Sequence, residues 1–334
     1  MPAVPFAKGL FQVGTSSHAY LIPDGDWGAS NAGLIVDGDQ SLLVDTLFDL
    51  RMTADMLKAM ADAHPAARRI DTLVNSHADG DHTFGNELVG GARIIASRGT
   101  FEEFHKLGPQ QLHDIIVNAD QLGEGARFIA EHMGPDKFDF SKITLVEPTE
   151  TYERDLTLKI GDKLVELHNV GPAHTRGDTL VHVVEDRVVY TGDVLFIGVH
   201  PAIWDGSVEG WIAACDRILA MDVDVVVPGH GPVTDKAGVA DFRRYLVMLV
   251  AESTKRHNAG MTVEEAALDI VLGAPFADWV SPERIAGSVN FLFRNWGSPH
   301  ATDSVLERFA MIARYAKAKA GCPNGGGLHH DHGA

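Results

Sequence analysis

Cysteine is scarce in this chain, and basic residues are outnumbered by acidic ones. Only two of the 334 residues are cysteines, Cys215 and Cys322, which excludes a disulfide framework and leads us to expect a reducing, cytoplasmic location. Lysine and arginine total 28 against 46 acidic residues, for a net charge of −18, so nucleic acid is not an expected partner. No apolar run reaches about 18 residues. Residues 1–8 also lack the segments of a secretion signal, so we expect no membrane partner.

The rest of the chain indicates a folded α/β protein with helical additions. Strand-like and helix-like segments alternate up to about residue 238, and 334 residues are ample for a buried core. Helix-like spacing without that alternation occurs in an insertion and near the C-terminal end. The expected parts are a main catalytic domain at residues 1–238 with a helical insertion at about 98–142, a helical extension at 239–320, and a flexible tail at 321–334.

Residues 76–86 hold the densest group of chemically active side chains. Four potential metal ligands fall within six residues, directly after the strand-like residues 70–74: His77, Asp79, Asp81 and His82. Alanine and glycine between them let the backbone curl, so that these side chains can converge on one point. Imidazole and carboxylate are common metal ligands, and neighbouring carboxylates are unfavourable without a cation. We therefore favour a metal site over a solvated polar turn, in which aspartate and glycine are also ordinary residues.

Three further potential ligands follow a common local pattern farther along the chain. Each comes after a strand-like segment and a tight turn that contains glycine or proline. They are His174 in Gly-Pro-Ala-His, Asp193 in Thr-Gly-Asp, and His230 in Pro-Gly-His. These residues strengthen the interpretation of residues 76–86 as part of a metal site.

In order and spacing, these motifs resemble those of the metallo-β-lactamase superfamily, from about residue 31 to about residue 234. That family has a His-x-His-x-Asp-His loop, a later histidine after a Gly-Pro turn, a Gly-Asp and a final Gly-His. The resemblance implies an αββα sandwich, to which the helical insertion and the helical C-terminal extension are added. It also implies that Asp45 orients the ligand loop from behind. One position departs from the pattern, since Asp79 stands where the family has its second histidine.

The resemblance further implies a dinuclear metal site. Its ligands would be His77, Asp79 and His174 for one ion, Asp81, His82 and His230 for the other, and Asp193 between the two. A carboxylate can bridge two ions because each of its oxygens can bind one of them. Water between the ions becomes a hydroxide nucleophile near neutral pH, and Asp81 would act as a catalytic residue by orienting it. The implied reaction is metal-dependent hydrolysis.

Asp79 leaves the identity of the metal open. A carboxylate in place of an imidazole adds negative charge and makes the first site harder, which shifts its preference from zinc towards iron or manganese. Aspartate also has a shorter reach than histidine, so two zinc ions are expected, or one if Asp79 fails to bind. The alternative function is a di-iron oxygenase or oxidoreductase of the same fold, because certain branches of the superfamily carry a carboxylate at this position.

We expect a small-molecule substrate, and we favour an ester, thioester or lactone over a β-lactam because this fold serves many substrates. A β-lactam hydrolase remains an alternative. A degenerate member that binds a ligand without turnover is disfavoured, because six of the seven usual ligands are kept.

Three residues are candidates for substrate contact. Trp27 lies in a loop that could cover the substrate or simply pack on the domain. His200 follows Asp193 closely and could donate a hydrogen bond to the substrate. Arg176 could pair with a substrate anion, or with Asp178 at the surface.

Overall fold

The structure is a computed structural model that describes residues 4–23 and 27–321. Within these residues the strands form a seven-stranded and a five-stranded sheet, each with its strands in chain order. The first sheet contains β1 (Gly9–Gln12), β2 (Ser17–Leu21), β3 (Ala32–Asp37), β4 (Gln40–Val44), β5 (Thr72–Val74), β6 (Arg93–Ser97) and β7 (Glu150–Tyr152). The second contains β8 (Asp155–Ile160), β9 (Lys163–Asn169), β10 (Thr179–Val183), β11 (Val188–Tyr190) and β12 (Val225–Val227).

Helices connect the strands and form both additions. They are α1 (Leu50–Ala63), α2 (Gly80–Thr83), α3 (Arg98–Glu103), α4 (Pro109–Val117), α5 (Ala119–Leu122), α6 (Glu124–Met133), α7 (Val208–Ala220), α8 (Lys236–Asn258), α9 (Val263–Asp269), α10 (Arg284–Asn295) and α11 (Val305–Ala320). Short 3₁₀ turns lie at Pro65–Arg68, Asn86–Val89, Gly192–Val194 and Phe276–Asp278.

Strand side chains alternate between two hydrophobic cores. In β4, Leu42 and Val44 belong to the core between the two sheets, whereas Leu43 lies in the core that the helices share. In β9, Val165 and Leu167 also belong to the core between the sheets. The two sheets are thus packed together with helices outside them, and the predicted αββα sandwich is confirmed.

Both helical additions pack onto the main domain and onto each other. Trp211 of α7 and Phe242 and Tyr245 of α8 are fully buried in one core, with the Trp211 and Phe242 ring centroids 5.6 Å apart. Gly125 of α6 lies so close to α11 that a Cβ atom there would overlap the carbonyl oxygen of Leu306. The insertion, α3 to α6, and the extension, α8 to α11, therefore meet over the same side of the sandwich.

Parallel pairing in each sheet determines where the site lies. β4 and β5 are parallel, with Val44 beside Val74, and β11 and β12 are parallel, with Tyr190 beside Val227. Because parallel neighbours end at the same edge of a sheet, the loops that follow these strands lie close together.

The predicted flexible tail at 321–334 lies outside the described residues except for Gly321, and Cys322 lies outside them too. Within the ranges 4–23 and 27–321, no helix combines the length and the apolar character that crossing a bilayer requires. Cys215 is buried within α7.

Candidate metal centre

The candidate ligands lie in the loops that follow β5, β9, β11 and β12. Two of these loops touch backbone to backbone, because the Gly229 amide donates a 2.8 Å hydrogen bond to the Gly192 carbonyl oxygen. A Cβ atom on Gly229 would overlap the backbone of Gly192, so glycine is required for this approach. The contact brings Asp193 and His230 to the same point.

The first ligand group consists of His77, Asp79 and His174. Asp79 Oδ2 lies 3.2 Å from His174 Nε2 and 3.8 Å from His77 Nε2. Both histidine side chains are buried, whereas the Asp79 side chain is 34% exposed. Despite its shorter reach than histidine, Asp79 therefore lies close enough to both imidazoles to share an ion with them.

The second ligand group consists of Asp81, His82 and His230. Asp81 Oδ2 lies 3.4 Å from His230 Nε2 and 3.8 Å from His82 Nε2. The short helix α2 positions this group, because Asp81 and His82 are consecutive residues within it. The ligand atoms of the group lie within 4.8 Å of one another, which fits a second ion.

Asp193 lies between the two groups. Its Oδ1 atom is 3.1 Å from His82 Nε2, and its Oδ2 atom is 3.2 Å from His230 Nε2 and 3.4 Å from His174 Nε2. His77 Nε2 is 3.9 Å from Oδ2. The carboxylate thus faces imidazoles of both groups, as a bridging ligand must.

Residues behind the ligands orient three of the four imidazoles. The Nδ1 atom of His82 shares a 2.9 Å hydrogen bond with Asp45 Oδ2, and that of His77 lies 2.9 Å from Ser76 Oγ. His230 Nδ1 lies 2.8 Å from a backbone carbonyl oxygen. Because each Nδ1 atom is held from behind, the Nε2 atoms point into the centre. Asp45 occupies the place that the family resemblance implies.

The residues present fit metal ions. Nε2 of His77 and Nε2 of His82 are buried, and neither has a hydrogen bond within the described part of the chain. Buried polar atoms without partners are unfavourable, and these two face several carboxylates and other imidazoles. A cation that accepts their lone pairs would remove that penalty.

The charges of the centre support the same conclusion. Burial alone would lower the pKa of His174, but its hydrogen bond with Asp79 and the charge of Asp193 raise it to about 9. The pKa of His230 is likewise raised to about 9 against the effect of burial. Burial alone would raise the pKa of Asp81, but the neighbouring imidazoles lower it to about 2. Three carboxylates so close together, with Asp193 buried and Asp81 largely so, require positive charge, from protons or from metal ions.

The metal centre forms part of the wall of a cavity of about 190 Å³, which has room for on the order of ten water molecules. The insertion and neighbouring loops contribute an apolar lining: Phe48, Phe84, Leu107, Leu112, Ile129 and Met133. Aromatic and basic residues line the remainder, several of them from the extension: Trp27, Trp204, Arg284, Arg308 and Phe309. A cavity with a mostly apolar lining and a few charged groups suits a small organic substrate.

Of the three predicted substrate residues, the structure places one at the cavity. Trp27 is buried in its wall, with the Arg284 guanidinium 4.4 Å from its ring centroid. Arg176 is exposed and does not line the cavity. The Asp178 carboxylate accepts hydrogen bonds from Thr175 and from a backbone amide.

His200 lies in the core beneath the extension and does not line the cavity. Its side chain is fully buried and shares a 2.9 Å hydrogen bond with the Tyr245 hydroxyl. Burial lowers the pKa of His200 to about 4, so the imidazole is neutral at pH 7. Its backbone amide donates to the Val280 carbonyl oxygen, and this bond ties the segment after Asp193 to the extension.

Sequence reasoning missed the residues that close the cavity. Trp204 comes from the segment after β11, and Arg284 and Arg308 come from α10 and α11. No motif marks these positions. The available signal was an arginine directly before a run of mostly apolar residues, a pattern that also fits an arginine whose stem packs on the surface.

A comparison with protein families places this geometry in context. Residues 25–230 match the model of the metallo-β-lactamase superfamily. Human acyl-coenzyme A thioesterase MBLAC2 is 22% identical over 227 residues, which are 60% of this chain and 72% of that protein. The 2,4-dinitroanisole O-demethylase subunit alpha of Nocardioides sp. is 23% identical over 201 residues, 59% of this chain and 51% of that protein.

Solved structures of similar fold extend the comparison to the C-terminal helices. The stereoselective inverting sec-alkylsulfatase Pisa1 from Pseudomonas sp. has a TM-score of 0.68 and 16% identity over 89% of this chain. This chain spans about half of that protein, 51%. A metallo-β-lactamase from Pontibacter korlensis has a TM-score of 0.52 and 19% identity over 72% of this chain and 99% of its own. Since the family model matches more than half of the chain, the protein belongs to the metallo-β-lactamase superfamily and is a metallo-hydrolase.

Proposed function

We propose that the enzyme hydrolyses a small ester, thioester or lactone at a dinuclear metal centre. The observation that carries this proposal is that seven His and Asp side chains converge on one point, and that five of them line a largely apolar cavity: Asp79, Asp81, His174, Asp193 and His230. The metal centre thus lies at one part of a space whose remaining wall is mainly apolar, with the basic side chains of Arg284 and Arg308 also in it.

The donor set suits two ions, which we take to be zinc. His77, Asp79 and His174 would hold one, and Asp81, His82 and His230 would hold the other, with Asp193 between them. When bound, such ions lower the pKa of water and polarise a carbonyl group. These are the two effects that ester hydrolysis needs.

The chain's own residues would orient the reactants and exclude bulk water. The Asp81 carboxylate is 15% exposed and lines the cavity, so its oxygens can accept a hydrogen bond from the attacking water. Phe48 and Phe84, whose rings stack with centroids 5.6 Å apart, would hold the apolar part of the substrate and keep solvent out.

Two features support esters and thioesters within this class. The apolar lining from the insertion, including Leu112, Ile129 and Met133, offers space for an acyl chain. The curated relatives named acyl-coenzyme A thioesterases place a thioester among the substrates to test first. The likeness to β-lactamases concerns the fold, so a β-lactam belongs on the panel as a comparison.

One observation favours a second candidate, a di-iron oxygenase. The group of His77, His174 and Asp79 has two imidazoles and one carboxylate. That combination is typical of non-haem iron sites, and its donor atoms are harder Lewis bases than those of three imidazoles. The metal that the protein carries distinguishes the two candidates.

Elemental analysis of the full chain, purified without added metal or an affinity tag, tests the proposal. About two zinc ions per chain, together with turnover of an ester, thioester or lactone, would support it. Two iron ions with a visible charge-transfer band, and no hydrolysis on the panel, would contradict it in favour of the oxygenase.

Variants then test the ligand roles. Asp79→Ala is expected to lose about one metal equivalent, and Asp193→Ala to lose the second ion and all turnover. Asp62→Ala is a matched control, because Asp62 is an exposed residue of α1 far in sequence from any ligand. Unchanged metal content in Asp79→Ala would place this carboxylate outside the coordination sphere.

A further inference from the structure

Arg308 is a buried cation in the cavity wall. It belongs to α11, it is 6% exposed, and it lines the same cavity as the metal centre. Its Nη1 atom donates a 3.2 Å hydrogen bond to the Trp204 carbonyl oxygen. Its Nε atom is buried without an acceptor, and no carboxylate oxygen of the described residues lies within 4.0 Å of the guanidinium. An arginine is charged at any ordinary pH, so this site holds a positive charge without a directly paired carboxylate.

The acidic groups near Arg308 already have other partners. Asp205, which also lines the cavity, pairs with Lys106 at 2.6 Å and with Arg294 at 3.3 Å. Asp303 pairs with Arg294 at 3.2 Å. The charge of Arg308 is therefore left for something that enters the cavity.

A purely structural role explains Arg308 less well. Its bond to the Trp204 carbonyl oxygen duplicates one that Arg294 already makes to the same atom at 2.9 Å. Its guanidinium also lies 5.3 Å from the Trp204 ring centroid, a contact that a neutral side chain could replace by packing. Burying a charge is unfavourable unless a partner compensates it.

We propose that Arg308 binds an anionic group of the substrate, so that the substrate is a small amphiphile with an apolar chain and a carboxylate, sulfate or phosphate. The inference rests on the proposed function in taking this cavity as the substrate site. The planar guanidinium presents paired N–H donors that match the oxygens of any of these groups. Phe48, Phe84 and Leu112 in the same cavity would contact the chain.

Calorimetric binding to the metal-loaded full chain tests this without requiring turnover. The ligands are hexanoate, hexyl sulfate and hexyl phosphate, with hexanol as the neutral compound of equal chain length. At least one anion should bind tenfold or more tightly than hexanol, because a hydrogen bond to a charged group contributes a factor of roughly ten to a hundred. The anion that binds most tightly identifies the chemical source of the negative charge.

Variants assign that preference to Arg308 or to the metals. Arg308→Gln should lose the tenfold preference and keep its affinity for hexanol. Arg314→Gln, on the same helix but outside the cavity, should keep both. An anion preference that survives in Arg308→Gln would mean that the metals or Arg284 bind the anion, and would overturn the proposal. Arg308→Lys keeps the positive charge and should retain part of the preference for the anion. If this variant loses the anion preference as fully as Arg308→Gln does, Arg308 acts by packing, and the proposal is also overturned.

Turnover separates this inference from the proposed function. The two substrates are thioesters of equal length, one neutral and one ending in a carboxylate. Arg308→Gln should raise KM about tenfold more for the anionic thioester than for the neutral one. If neither thioester is hydrolysed but the binding results hold, the hydrolase proposal fails and the anion site stands. Equal losses on both thioesters would contradict the anion site.

Discussion

Replacing Asp45 with asparagine should weaken metal binding while the chain still folds. The Asp45 carboxylate accepts three hydrogen bonds: from the Ser76 amide at 2.6 Å, from Ser76 Oγ at 2.7 Å and from His82 Nδ1 at 2.9 Å. Its backbone has φ of 63°, a conformation that asparagine adopts about as readily as aspartate. The substitution therefore changes the carboxylate and little else.

The magnitude follows from these three bonds. Asparagine offers one accepting oxygen. Its amide group would face the Ser76 backbone N–H if it replaces Oδ1, or both Ser76 Oγ–H and His82 Nδ1–H if it replaces Oδ2. Each lost bond to the charged group is worth about 1.5 to 3 kcal/mol, and His82 loses the partner that holds its Nε2 atom towards the centre. Loss of such a partner behind a ligand lowers metal affinity by roughly 10- to 100-fold.

The assay is a titration of metal-loaded protein with a competing chelator at pH 7. Asp49→Asn is the control, because Asp49 is equally buried and caps α1 through Met52 without touching a ligand. The control should lose stability and keep its metal affinity. If Asp45→Asn also keeps its affinity within about twofold while losing stability like the control, then Asp45 does not act through the metal ligand His82.

Three more predictions concern stability. His200→Gln should reduce the loss of unfolding free energy between pH 7 and pH 4.5 by roughly 2 to 3 kcal/mol. The folded-state pKa of about 4 lies below the unfolded value, so the unfolded state takes up the proton first as pH falls. Urea titrations of both proteins at the two pH values measure this difference. Asp186→Ala should lower the unfolding free energy, measured in urea at pH 7, by about 2 to 3 kcal/mol. The reason is that Thr15 Oγ1, the Ser16 amide and Ser17 Oγ, at the turn between β1 and β2, lose their acceptor. A loss under about 0.5 kcal/mol would contradict this. Gly125→Ala should lower the thermal midpoint by the equivalent of about 1 to 3 kcal/mol, because the added methyl group would overlap the Leu306 carbonyl oxygen. The control Gly273→Ala should leave the midpoint unchanged, because no atom lies within 4 Å of the added methyl group. Equal midpoints in the two variants would refute the close approach of α6 and α11.

The fold was predictable where local periodicity and chain order agree. The α/β class, the insertion and the extension were expected from such patterns, and the αββα sandwich from the family resemblance; the fold class is confirmed. The start of α1 at Leu50 is not given by periodicity, because Asp49 caps the helix and no apolar spacing marks a cap.

Within the site, motif order predicted which side chains meet, but not what surrounds them. The seven candidate ligands all lie in loops that follow strands, and the parallel strands end at the same edge of each sheet, which brings these loops together. The direction of His200 depends on the backbone bridge between Val199 and Val280, which are far apart in sequence. Arg308 reaches the cavity only because α11 packs against α6. Contacts of this kind have no local signature, and they are the ones that shape the cavity.

With two divalent ions bound, the charge of the cavity would run against the charge of the whole chain, and this bears on the choice of substrate. The protein has a net charge of −18, so an anion approaching its surface meets an unfavourable field. Inside, two divalent ions would outweigh the carboxylates of Asp79, Asp81 and Asp193, and Arg308 adds a further positive charge in a desolvated wall. Short-range interactions in a buried site are far stronger than screened surface ones. The local field therefore governs binding, and a neutral substrate would leave this buried positive charge unused.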